Sequence, residues 1–480
     1  MQNYRPIALI CTFAKVLEKI MHSRVVNFLE NGNYFDNLQF GFRKNRGVND
    51  AFIYDLNMIA KAMDSEQICI NLLLDIEKAF DTINRKSLLF KLENAGIRGI
   101  LLNWFESYLS ERKFKVEVGG ELSEIEGLPT CGILQGSALS ATLFAFFIND
   151  LLENLNSNDN RSVGIAYADD LNLIVKGENL NEVREVLESK INLLDNWYNA
   201  NRISVNAKKT ELKIFDRTPN KVPELEMIFG KSGERIRTND SDARYLGFYL
   251  DKKFSFKTFE KTTALKMSRG IACINRVAAF APKSPKVLLY NSFVHSHLEF
   301  SSLLYLSLPS KAQNYLFKLQ KKAIRYAYGV KKNAHTANIF KYFRVLPAPV
   351  LARYNIFKYM HRLKENENLN ILGHFWPRRV RTTERYQLRN KNELKQSMPS
   401  RVFYKKLPLY TFSEVYNEIV TIFEKVDRNF RALQEYLMDE YVENNSCINK
   451  ECFICSKVKK DVCGIELQRK ARAERLKKSS

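Results

Sequence analysis

Apolar residues recur along this chain in two rhythms, one helical and one strand-like. In FAKVLEKIMHSRVVNFLENG they fall at helical spacing and stop at Asn31-Gly32, which predicts a long helix with a glycine end. CINLLLDI, residues 69 to 76, is short and almost wholly apolar, the pattern of a buried strand, and its one acid, Asp75, stands at its carboxyl end. NRKSLLFKLENAG then offers Asn84 as a cap, an apolar stripe at Leu88, Leu89, Leu92 and Ala95, and Gly96 as a stop. KFKVEVGGELSEIEG alternates around Gly119-Gly120 as a hairpin does, and LSATLFAFFINDLLENL reads as one helix, apolar on most sides and therefore buried.

GIAYADDLNLIV breaks its own pattern. Val163 to Ala168 and Leu171 to Val175 read as two strands joined by a tight turn at Ala168 to Asp170, which sets two adjacent carboxylates at a hairpin tip. Neighbouring acids repel each other and are costly to desolvate, so such a pair is either solvated in the turn or held by a cation. A helix, LNEVREVLESKINLLDNWYNANR, and a strand, KTELKIF, follow. This order of strands, hairpins and helices predicts an antiparallel sheet backed by helices, an α+β fold. Beyond about residue 260 the pattern is mainly helical, with YLFKLQKKAIRYAYG a basic amphipathic example ending at Gly329.

Charge narrows the partners. Lys and Arg number 75 against 53 Asp and Glu, a formal net charge of +22, which favours a polyanion such as nucleic acid. Apolar runs are too short to span a bilayer, and the amino terminus carries no secretory pattern, so no membrane association is expected. Cys11, Cys69, Cys131 and Cys273 lie scattered in apolar segments, as reduced thiols do. Asp75 and Asp169 add chemistry, because adjacent antiparallel strands lie about 5 Å apart and carboxylates at their ends can meet. Hard divalent cations such as Mg²⁺ take such oxygen ligands together with substrate phosphates, and two ions about 3.5 to 4 Å apart serve an in-line displacement.

The order and spacing of LLLDIEKAFDTINRKSLLFKLENAGI, GLPTCGILQGSALSATLF, YADD and NRISVNAKKTELKIF resemble the successive palm motifs of reverse transcriptases from non-LTR (LINE-like) retrotransposons, the jockey-like branch most of all. ARYLGFYLDKKFSF and LQKKAIRYAYGVKKNAHTANIFKYFRVL extend the likeness, which covers roughly residues 3 to 350. The resemblance implies a right-hand polymerase: partial fingers at 1–68, palm at 69–240, palm-thumb connection and helical thumb at 241–345, a helical extension at 346–440 and a Cys-containing basic tail at 441–480. More fingers sequence and an endonuclease domain usually precede YRPI, so an amino-terminally truncated family member is expected.

Implied too are the activity and its residues. A DNA primer, or nicked target DNA, is extended on an RNA template with deoxynucleoside triphosphates and two Mg²⁺ ions, for which Mn²⁺ is a substitute. Asp75 and Asp169 match the metal-binding carboxylates, and Asp170 their neighbour in the catalytic site. Phe80 matches the aromatic gate against a ribose 2′-hydroxyl; a bare D-x5-D reading of Asp75 and Asp81 would suit an RNA-dependent RNA polymerase, against which the KAFD context argues. Gln135 and Gly136 match the motif lining the nucleotide pocket, and Lys209 the lysine that serves the leaving pyrophosphate. Arg5 matches the arginine on the incoming triphosphate, while Arg43, Lys44 and Arg46 of QFGFRKNRG are candidate template-phosphate contacts. A nuclear and cytoplasmic ribonucleoprotein is expected, with oligomeric state left open. An inactive copy retaining only nucleic-acid binding is the alternative.

Three features stand outside the resemblance. Cys447, Cys452, Cys455 and Cys463 have the spacing C-x4-C-x2-C-x7-C, which leaves open both a tetrahedral Zn²⁺ site and a tail of reduced thiols. The basic run LQRKARAERLKKSS reads as a solvated tail, an RNA contact or an import signal. His295 and His297 read as structural.

Overall fold

The computed structural model describes residues 7–445, apart from 111, 128–130, 158–159, 217–224, 230–232, 239–240, 278–279, 367–369, 374, 377–393, 395–398 and 400–401. The chain divides into two compact units, Met1–Phe248 and Tyr249–Ser480. The first opens with α1 (Thr12–Asn31), α2 (Val48–Asp64) and β1 (Ile68–Asp75). It continues through α3 (Ala79–Thr82), α4 (Arg85–Asn94) and α5 (Ile100–Leu109) to four two-residue strands: β2 (Lys113–Phe114), β3 (Glu117–Val118), β4 (Glu121–Leu122) and β5 (Glu126–Gly127). After them come α6 (Ser140–Phe147), α7 (Asn149–Asn156), β6 (Ser162–Tyr167), β7 (Asp170–Gly177), α8 (Leu180–Asn201) and β8 (Glu211–Phe215).

Four of these strands form one antiparallel sheet in the order β6-β7-β1-β8. β1 is central, which is why its sequence is apolar at nearly every position: both of its faces are covered. Ile70, Leu72 and Leu74 of β1, with Leu171, Leu173 and Val175 of β7, pack into the main core with Leu88, Phe144, Phe147, Leu187 and Leu194 from the helices. Alternation sends Asn71 and Leu73 to the opposite face, which α2 covers.

Local signals act where the spacing places them. Asn84 caps α4 by accepting from the Ser87 N–H at 3.1 Å, and Asn179 caps α8 by accepting from the Glu182 N–H at 3.0 Å. Gly119 and Gly120, both at positive φ, make the turn between β3 and β4.

Two elements depart from the expectation. LSATLFAFFINDLLENL is two helices that break at Ile148, because buried Asn149 is drawn into tertiary bonds: it accepts from the Asp36 N–H at 2.7 Å and donates to the Tyr34 carbonyl at 2.6 Å. α2 is not announced by apolar spacing, since three of its buried positions, Asp50, Asp55 and Asn57, are polar.

The second unit is helical, with long helices at Lys257–Val277, Ser310–Tyr328, Ala348–Glu365, Pro408–Lys425 and Phe430–Asn445. Ser310–Tyr328 ends at Gly329 in the left-handed conformation, as the sequence predicts. His295 stacks on Tyr290, a structural placement. Among the described residues no helix is long and apolar enough to cross a membrane. Cys447, Cys452, Cys455 and Cys463 lie outside the described residues, as does Arg5.

Candidate active site

Strand register sets the acids opposite one another. β1 and β7 pair so that Asp75 stands opposite Asp170, and Tyr167 of β6 pairs with Asp170 from the other side. The link between β6 and β7 is therefore the two residues Ala168 and Asp169. Ala168 has φ of +58°, a left-handed conformation that costs a residue with a Cβ about 1 kcal/mol.

The segment QFG holds that strained tip. Phe40 N–H donates to the Ala166 carbonyl at 2.8 Å and Ala166 N–H to the Leu38 carbonyl at 3.0 Å, so residues 38–40 lie along the outer edge of β6. Gly41 then closes on the turn. A Cβ at this position would stand 2.1 Å from the Ala168 nitrogen and 2.9 Å from its Cα, so only glycine lets the two backbones approach this closely.

Behind the acids, the chain after α8 runs back along the end of β1. Asn206 N–H donates to the Asp75 carbonyl at 2.8 Å and Glu77 N–H to the Ser204 carbonyl at 2.9 Å. This course brings the Lys209 Nζ to 3.5 Å from Asp75 Oδ2. Both side chains are partly exposed, so the pair adds little stability. It does set a positive charge against the acid end of the sheet.

Asp169 is half-buried and Asp170 exposed. Among the described residues no group of three His, Cys, Asp or Glu side chains is gathered closely enough to hold a metal ion. Two opposed carboxylates with a third on the tip form an open donor set. That suits a hard cation which completes its shell with water and substrate phosphates.

Around this end of the sheet, α3 and the loop 131–136 are bonded into one piece. Ile133 N–H donates to the Phe80 carbonyl at 2.8 Å, Gly132 N–H to the Ile83 carbonyl at 2.7 Å, and Gln135 Nε2 to Asp81 Oδ1 at 2.9 Å. Phe80 lies with its ring centroid 5.2 Å from that of Phe144 and is only partly buried. The Gln135 carbonyl accepts from the Ala8 N–H at 2.8 Å, and Gly136 lies at positive φ against the Ala8 backbone.

The basic trio divides. Arg43 is a correction to the sequence expectation: its guanidinium grips Glu30 bidentately at 2.9 and 2.6 Å, donates to the Asp36 carbonyl at 2.8 Å, and leaves the side chain 8% exposed. It braces α1 against the following loop and is not presented to a phosphate. Arg46 donates to the Asn37 carbonyl and lies over the Phe40 ring. Lys44 is exposed.

Comparison with known proteins now bears on these motifs. A family model described as "Reverse transcriptase (RNA-dependent DNA polymerase)" matches residues 1–250. The chain belongs to the reverse transcriptase family. It is 26% identical over 376 residues to the RNA-directed DNA polymerase from mobile element jockey of Drosophila melanogaster, covering 76% of this chain and 40% of that protein. It is also 29% identical over 272 residues to the probable RNA-directed DNA polymerase from transposon BS of the same species, covering 55% of this chain and 29% of that protein. The chain spans about 40% of the length of the jockey relatives it matches. Among solved structures, apo telomerase from Candida tropicalis matches with a TM-score of 0.40 at 11% identity, over 75% of this chain and 60% of that one. The reverse transcriptase domain is here α+β, built on the four-stranded antiparallel sheet.

Sequence reasoning missed the group beneath the acids of this reverse transcriptase sheet. Asp55 of α2 is fully buried, and its Oδ1 accepts from Asn71 Nδ2 at 3.0 Å and from Asn172 Nδ2 at 2.6 Å. Burial pushes the Asp55 carboxyl up to about 7, against the opposing pull of the two amide bonds. Tyr245, buried nearby, is also raised, by burial first and then by Asp55 and Asp170. The available signal was an asparagine in each of two otherwise apolar strands, at Asn71 and Asn172.

Proposed function

We propose that this chain carries the RNA-directed DNA polymerase of a non-LTR retrotransposon of the jockey-like branch, extending a DNA primer on an RNA template. The observation that carries the reading is the register that sets Asp75 opposite Asp170, with Asp169 at the tip and Lys209 alongside. Asp75, Asp169 and Asp170 would hold Mg²⁺, which when bound activates the primer 3′-hydroxyl and neutralises charge on the leaving pyrophosphate. Phe80, held against Phe144, would exclude a 2′-hydroxyl by its bulk and so select deoxynucleotides. Gln135 and Gly136 line the nucleotide, with Gln135 oriented by Asp81. Lys209, 3.5 Å from Asp75, would supply a cation to the leaving pyrophosphate. Arg5 grips the triphosphate and Lys44 a template phosphate; the net charge of +22 supplies sequence-independent affinity for the hybrid.

The test is Mg²⁺-dependent extension of a DNA primer annealed to RNA, with Asp169→Asn as the comparison. The variant is expected to extend nothing while binding the hybrid within about twofold of wild type, because no phosphate-contacting cation is removed. Extension by the variant would overturn the assignment of the acids. A wild-type protein that binds the hybrid and extends nothing would favour the binding-only alternative.

A further inference from the structure

β1 and β7 carry a registration problem. Their inward faces are rows of Ile, Leu and Val, so sliding one strand past the other by two residues would keep every apolar side chain on its own face. The same slide would carry Asp75 about 7 Å along the sheet from Asp170. A one-residue slip inverts the faces and is excluded by burial; a two-residue slip is not.

On the other face β1 and β7 each carry one buried asparagine, Asn71 and Asn172, and these break the degeneracy. Asn172 pairs with Leu73 and Asn71 with Ile174, so the two amides are diagonal neighbours across the strands that end in Asp75 and Asp170. Both donate to the same atom, Asp55 Oδ1, from a helix that belongs to neither strand. A slide that carries Asn172 away from Asn71 leaves the two amides about 14 Å apart along the sheet, and one oxygen can no longer serve both; the opposite slide would set Asn172 level with Asn71 and move Asp170 against Leu73.

Resting on the polymerase reading above, we propose that Asp55 is a positioning residue: by holding Asn71 and Asn172 on one carboxylate oxygen it blocks the slide that would draw them apart and so helps to keep Asp75 opposite Asp170. A lone polar contact performs this kind of registration in otherwise uniform apolar interfaces. Asp55 touches no substrate in this arrangement and acts through the strands.

The experiment is titration of the full chain with Mn²⁺, followed by electron paramagnetic resonance, for wild type, Asp169→Asn, Asp55→Leu and Asp55→Asn. Asp55→Leu fills the space but offers no acceptor, and is expected to weaken Mn²⁺ binding at the acids by ~10-fold, the scale of losing a group that orients metal ligands. Asp55→Asn keeps a carbonyl oxygen for both amides, and is expected to bind within ~3-fold of wild type. Should Asp55→Leu fail to fold, Asn172→Ala removes one arm of the bracket and is expected to weaken binding ~3-fold. Binding by Asp55→Leu or by Asn172→Ala equal to wild type would overturn the proposal, as would an Asp55→Asn protein no better than Asp55→Leu. Wild type indistinguishable from Asp169→Asn would instead overturn the metal reading of the acids, and the proposal with it.

Discussion

Replacing Gly41 by alanine tests whether the QFG segment sets the position of the acid tip. The added Cβ would lie 2.1 Å from the Ala168 nitrogen, about 1.3 Å short of ordinary contact, and its other near neighbours, Ala168 Cα and the Tyr167 carbonyl carbon, are backbone too. No side chain can rotate away to relieve it. Gly41 itself does not sit at positive φ, so the effect is steric and not conformational. Either the bonds from Phe40 and to Leu38 open or the turn bearing Asp169 moves by about 1 Å.

A displacement of that size in a catalytic group costs on the order of 10²-fold in rate, or about 2.7 kcal/mol in the barrier. The assay is single-nucleotide extension of a primer on RNA at saturating nucleotide, with the melting temperature measured alongside. We expect kcat to fall ~100-fold, hybrid affinity to hold, and stability to drop by about 1–2 kcal/mol for the loosened bonds. Gly47→Ala in the same segment is the control, because a Cβ there meets only Asp50 Oδ2 at 3.7 Å. A Gly41→Ala protein with kcat within threefold of wild type would refute the reasoning.

Two further expectations complement the Asp169 and Asp55 tests above. Phe80→Val should admit ribonucleotides, measured as the ratio of ribo- to deoxynucleotide incorporation; unchanged sugar selection would remove Phe80 from the nucleotide site. Asp55 should also link stability to pH: its carboxyl titrates at 3.8 as a free group and at about 7 in the fold, so the stability of the neutral buried acid is complete below pH 3.8 and is lost as pH rises through 7. The full loss corresponds to about 4 kcal/mol, and neither Cys69 nor Tyr245, both pushed well above neutrality, titrates in that window. Urea midpoints of wild type and Asp55→Asn at pH 5 and pH 8 measure it; an equal difference between the two proteins at both pH values would count against a buried titrating acid.

What the sequence determined by itself was whatever depends on near neighbours. The apolar run ending at Asp75, the hairpin that lifts Asp169 to a tip, the Asn84 cap and the Gly329 stop are each specified within about ten residues, by side-chain alternation, capping chemistry and backbone freedom. The ordered motifs likewise sufficed for the family, because the spacing of the acids is a property of the chain.

Tertiary structure alone decided the rest, because those choices lie with partners far away in sequence. Arg43 carries the same charge as Lys44, yet Glu30 claims it from α1, and no reading of QFGFRKNRG contains that competition. The helix break at Ile148 answers to Tyr34 and Asp36. The need for glycine at residue 41 arises from the backbone of Ala168, and Lys209 finds Asp75 only because the chain returns along β1. Asp55 was illegible for the same reason: a lone carboxylate among other polar residues reads as solvated until the fold buries it against two strands and gives it two amides to hold.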